Sequence, residues 1–127
     1  MTDRHPVVTG SGKFSADECR VKDVLERVGD KWTILVLAAL ERRAWGFREL
    51  QRAIDGISQR MLTVTLRRLE RDGLVSRTVL GTRPPRVEYA LTDLGSSLTI
   101  PLRSVAEWAQ ANRAQITANR HEWDASN

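Results

Sequence analysis

Thiols and imidazoles are scarce in this chain: 127 residues contain one cysteine, Cys19, and two histidines, His5 and His121. A single thiol excludes an intrachain disulfide. The two histidines lie toward opposite ends, so neither a nucleophile-and-base set nor a zinc ligand set assembles from the sequence. Carboxylate pairs such as Glu26 with Asp30 are four residues apart, the spacing of helix-surface and capping groups. An enzyme is not expected, and no cofactor or metal is implied. Long apolar runs are also missing. The longest is Ile34 to Leu40, far short of the ~20 residues that cross a bilayer, and no signal-peptide pattern opens the chain. The expected location is the cytoplasm, with no membrane partner. Lysine is rare as well, 3 residues against 17 arginines, a bias that codon usage can produce, so the arginine count alone carries no chemistry.

What is present is one domain's worth of chain, 41% hydrophobic, large enough for a modest core and too small for a separate catalytic domain. The formal charge of +4 is unevenly placed: Glu41 to Ala90 holds 11 arginines against 6 acids, a local +5, and the rest nets −1. A positive field confined to one segment attracts a polyanionic backbone and supplies the salt-dependent share of its binding.

That segment has internal order. Phe47, Leu50 and Ile54 recur at helical spacing, the run breaks at Asp55-Gly56, and Ser58 can cap a new helix from Ser58 to Arg71. On the second helix Leu62, Leu66 and Leu69 share one face, while Arg60, Thr63, Val64 and Arg67 share the opposite one with Arg68 on its flank. Ser58 and Gln59 stand at its start. Two short helices joined by a glycine turn read as a helix-turn-helix. Arginine can contact guanine in bidentate fashion or reach phosphate, and threonine offers a hydroxyl and a methyl, so the outer face suits base readout. Taken alone, the same helix also fits an ordinary solvated amphipath. After Gly73, Leu74 to Val79 and Arg86 to Leu91 are β-rich runs around a loop holding Gly81, Arg83, Pro84 and Pro85. A basic hairpin directly behind such a helix reads as a wing, with Arg83 and Arg86 placed for the sugar-phosphate backbone or the minor groove.

Together these residues resemble the HxlR-type winged helix-turn-helix transcriptional regulators of bacteria and archaea. The resemblance runs from about Cys19 to Trp108. It is carried by Val28-Gly29-Asp30-Lys31-Trp32 with the apolar run Thr33 to Leu40, by Phe47-Arg48-Glu49-Leu50, and by Gly56-Ile57-Ser58-Gln59-Arg60-Met61-Leu62-Thr63. It continues through Leu66, Leu69-Glu70, Asp72-Gly73-Leu74-Val75, Pro85 to Thr92, and Leu94-Gly95. The resemblance implies a homodimeric DNA-binding repressor or activator. The recognition helix and wing would lie on operator DNA, and the terminal helices would form the dimer.

The expected fold is mainly α with a small β-hairpin wing (α+β). The expected organisation is a flexible arm at residues 1–16, a winged helix-turn-helix and dimerisation domain at 17–116, and a frayed tail at 117–127. Val21, Val24, Leu25 and Val28 form an apolar stripe before Gly29, and Trp32, Leu35, Val36 and Ala39 form the next after Asp30 caps it. From an N-cap at Thr92, Leu94, Leu98, Leu102, Val105, Trp108 and Ala109 line a broad face, with Pro101 kinking or restarting the helix. Val21, Val24, Leu25, Leu98, Leu102, Val105 and Trp108 are the candidate dimer surface, by which two recognition helices would meet one duplex as an inverted repeat. The other reading folds the last helix back over its own core. Cys19, near the start of the first helix, is the redox-sensing candidate. Arg20 and Lys22 favour its thiolate and Asp17 and Glu18 oppose it, so its electrostatics decide nothing. Some members of the family use a cysteine at this place to sense oxidants or electrophiles; the competing reading is a small apolar residue near a dimer seam. Two further classes stay open: a winged-helix module that binds only protein, and a regulator with an effector pocket between helices.

Overall fold

Two apolar stripes separated by a glycine build the first helices. The computed structural model describes residues 16–81 and 83–127, and the side chains of residues 21–81 and 83–127. Helix α1 runs Ala16–Val28 and α2 runs Lys31–Arg42; apart from residue 16, the expected N-terminal arm lies outside the described residues. Asp30 occupies the N-cap of α2, but it makes no side-chain cap bond to the backbone. Its carboxylate instead accepts from the Thr33 hydroxyl at 3.5 Å. The buried face of α2 is Thr33, Val36, Leu37 and Leu40, which corrects the expected Trp32, Leu35, Val36, Ala39 stripe. Leu35 is exposed, and Trp32 and Ala39 flank the core. The run is apolar all round, so periodicity cannot select the inward turn and the neighbouring helices do.

The chain then makes a short strand β1, Trp45–Gly46, before α3, Phe47–Ala53, and α4, Gln59–Arg71. Strands β2, Val75–Leu80, and β3, Arg86–Leu91, follow as an antiparallel hairpin in register from Val75 opposite Leu91 to Leu80 opposite Arg86. Strand β1 adds to the far side of β3, with Trp45 opposite Tyr89, so the sheet order is β1-β3-β2. The core gathers Val36, Leu37, Leu40, Leu50, Ile54, Ile57, Leu62, Leu66, Leu69 and Val75. One side is therefore supplied by α2, another by the helix-turn-helix, and the sheet begins at its edge.

Helix α5, Asp93–Ala111, is not restarted at Pro101. Thr92 caps it, accepting from the Gly95 amide at 3.1 Å. Its two halves have different surroundings. Gly95 and Thr99 are buried, and Leu98 and Leu102 pack against the core, whereas Val105 and Trp108 are 64% and 60% exposed. The fold-back reading thus holds for the first half of the helix, and the second half leaves its apolar side chains uncovered. Residues 117–126, expected to fray, instead belong to α6, Arg113–Ser126. Polarity was a poor guide there: the segment has neither glycine nor proline, several good helix formers, and a Gln115–Asn119 hydrogen bond at 3.0 Å one turn apart.

Candidate nucleic-acid interface

The turn between α3 and α4 needs its glycine. The Ile54 amide closes α3 on the Leu50 carbonyl at 3.1 Å. Gly56 then takes φ +84°, a left-handed conformation that side chains disfavour, and buried Ile57 pins the far end of the turn. The Ser58 hydroxyl accepts from the Met61 amide at 3.0 Å, satisfying one of the amides left open at a helix start.

Helix α4 buries Leu62, Thr65, Leu66 and Leu69, which fixes its rotation. Arg60, Arg67 and Arg68 are exposed, and Thr63 and Val64 are half-exposed. Gln59 and Ser58 are exposed at its first turn. Thr63 donates its hydroxyl hydrogen to the Gln59 carbonyl at 2.9 Å. That leaves the Thr63 oxygen lone pairs and methyl group for an outside partner. The structure therefore brings together on one outward surface the α4 residues read from the sequence. Arg71, exposed and one turn beyond Arg67 on the same face, was missed; its four-residue spacing from Arg67 was the available signal. Arg48 and Arg52 are likewise exposed one turn apart on α3, the helix that crosses the backbone in this motif.

Arg83, in the loop, and Arg86, opposite Leu80 in the rung next to that loop, are both exposed at the tip of the hairpin. The hairpin is tied to α3 through β1. The Trp45 indole donates to the Ala39 carbonyl at 2.8 Å, and the Arg43 guanidinium lies 3.6 Å from the centroid of the Trp45 ring. Glu49 reaches back from α3 to accept from the Gly46 amide at 3.0 Å and meets Arg43 at 3.5 Å. That amide bond is the main influence holding the Glu49 carboxyl below its ordinary range; partial loss of hydration opposes it, and the positive charge of Arg43 and, least, of Arg86 adds to it.

The other end of α4 is held by both flanking helices. Arg27 of α1 binds Asp72, the C-cap of α4, at 2.6 Å. The Thr92 hydroxyl donates to the Gly73 carbonyl at 2.6 Å, and Gly95 lies against the Leu74 backbone. Of the candidate dimer residues, Val21, Val24, Leu25, Val105 and Trp108 are exposed, while Leu98 and Leu102 are half-buried on their own core. Cys19 falls in the first turn of α1, and its side chain lies outside the described residues. Glu26 pairs with Lys22 at 3.7 Å on the exposed surface of α1. Among the described residues no helix is long and apolar enough to cross a membrane.

The model of the HxlR-like helix-turn-helix family matches residues 27–117. The HTH-type transcriptional regulator YtfH of Escherichia coli K12 is 36% identical over 111 residues, covering 87% of this chain and 88% of its own. The structure of the transcriptional regulator YtfH from Salmonella typhimurium is similar at a TM-score of 0.74 and 36% identity, covering 84% of this chain and 95% of that one. The redox regulator HypR in its reduced form gives a TM-score of 0.72 at 36% identity, covering 78% and 98%.

Proposed function

The chain belongs to the HxlR-like helix-turn-helix family and is a transcriptional regulator with a winged helix-turn-helix fold, and from that premise we propose that it represses transcription by binding DNA as a homodimer in the cytoplasm. Helix α4 reads the major groove through Arg60, Thr63, Val64 and Arg67, with Ser58, Gln59 and Arg68 at its margins. Arg83 and Arg86 of the wing hold the backbone or the minor groove. Residues 17–116 form the DNA-binding and dimerisation unit, with no catalytic role. The observation that carries this reading is the rotation of α4: its leucines are buried and its arginines are exposed on the opposite face. A module that binds only protein needs no such basic face.

Sequencing the DNA fragments retained by the purified protein tests the proposal. An inverted repeat with half-sites roughly 34–36 Å apart, or a multiple of that, is expected from two-fold symmetry. Retention without sequence enrichment rejects it.

Similarity to a protein named a redox regulator favours a sensing role for Cys19. A disulfide or adduct on α1, the helix that grips the end of α4 through Arg27, would change how the two recognition helices are set. The same binding assay after diamide, on wild type and Cys19→Ser, reads this directly. A second reading, regulation by a small molecule held between helices, is favoured by a cleft between α1 and α5 at that corner.

A further inference from the structure

Helix α1 leans on the body mainly through α2 and through Arg27, and it leaves a cleft of about 520 Å³ between itself, α5 and the corner that ends α4. That volume is within the ~300–1,000 Å³ usual for small-molecule sites. Leu74, Leu94 and Leu98 with Val24 make the walls apolar. Among the described residues that line it, the charged groups are Asp23, Arg27 and Asp72. Arg27 and Asp72 offset one another at 2.6 Å, and Asp23 remains in excess, so the described lining residues net −1. An organic anion meets net repulsion there. A neutral molecule leaves the charge unanswered, and a single positive charge on an apolar body balances it.

We propose that this cleft binds an amphipathic organic monocation. Its ammonium or amidinium head lies between Asp23 and Asp72, and its apolar body rests on Leu74, Leu94 and Leu98. The head competes with Arg27 for Asp72, the residue that caps the recognition helix, so occupancy loosens the tie between α1 and α4. The proposal gives a ligand class to the small-molecule reading above and rests on it. Recognition of DNA by α4 stands or falls separately, and the test therefore contains no DNA.

Three probes with one naphthalene body and different head charge decide it: naphthylmethylammonium, naphthylmethanol and naphthoate, each titrated calorimetrically into the full chain. The ammonium is expected to bind about tenfold more tightly than the carboxylate, as opposite charges beside the same carboxylates require. Asp23→Asn, on an exposed site of α1, should weaken the ammonium by about tenfold and leave the alcohol unchanged. Ser97→Trp, which fills the cleft from the exposed side of α5, should abolish binding of the ammonium and leave the sedimentation mass unchanged. Equal binding of the three probes, or preference for naphthoate, overturns the proposal. So does a Ser97→Trp variant that loses self-association, because the cleft is then the seat of a second copy. Should that variant fail to fold, as judged by circular dichroism, the Asp23→Asn comparison decides alone.

Discussion

At Gly95 the space available for one atom determines how α5 meets α4. A Cβ there would stand 2.0 Å from the Leu74 carbonyl oxygen and 3.1 Å from Leu91 Cδ2, and the first is backbone that cannot rotate away. Gly95→Ala is expected to destabilise the fold by about 2–3 kcal/mol or more, in the upper part of the overpacking range, despite alanine's better helix propensity. Denaturant unfolding measures this, and a neutral effect would mean that the α5 junction tolerates displacement. Glu49 makes a different kind of contribution. Its carboxyl is held below the ordinary range by the Gly46 amide and by Arg43, so its stabilising effect is fully present above the unfolded glutamate value near pH ~4.3 and is lost as pH falls through the lower folded value. Glu49→Gln should lower stability at neutral pH and remove that part of the acid dependence. A variant whose stability curve parallels wild type down to acid pH would exclude the linkage.

At the scale of elements, α4 and the wing were legible because each announces itself locally: a serine cap, leucines at helical spacing, arginines opposite them, then β-rich runs around a proline loop. Three features were not legible, each for a physical reason. The inward face of α2 is set by what packs on an all-apolar run. Strand β1 is two residues long and exists only through pairing with Tyr89 and Glu88 far along the chain. Helix α6 is polar and exposed, so no apolar stripe marks a buried face, and only propensity signals it. The site was correspondingly clearer on the first turns of α4 than elsewhere: Arg71 at the end of α4, and Arg48 and Arg52 on α3, were overlooked. The wing is tied to α3 by β1 and should act as a rigid arm. Arg83→Glu, on its exposed tip, is predicted to weaken binding to all DNA sequences alike, with a salt slope shallower by about one unit or more. A loss confined to one sequence would instead make Arg83 a base reader.

For the molecule as a whole, the uncovered apolar surface is concentrated on the flanking helices: Val24 and Leu25 on α1 are 61% exposed, and Ile100 and Trp108 on α5 are 65% and 60% exposed. In the dimer proposed above this is the surface that the partner would cover, since a two-fold arrangement uses the same face twice. Wild type is expected to sediment as a dimer at micromolar concentration and Trp108→Glu to shift toward monomer; a monomeric wild type would remove the symmetry argument. The central claim, that the outer face of α4 reads DNA, is tested most directly by titrating wild type, Arg60→Ala and Arg67→Ala against the selected inverted repeat and a scrambled duplex across salt. The account predicts that at least one variant keeps its fold and dimer mass while losing about 1–3 kcal/mol on the repeat but much less on the scramble, as loss of a bidentate base contact requires. Unchanged affinity of both variants for both duplexes at every salt concentration would take α4 out of the DNA interface.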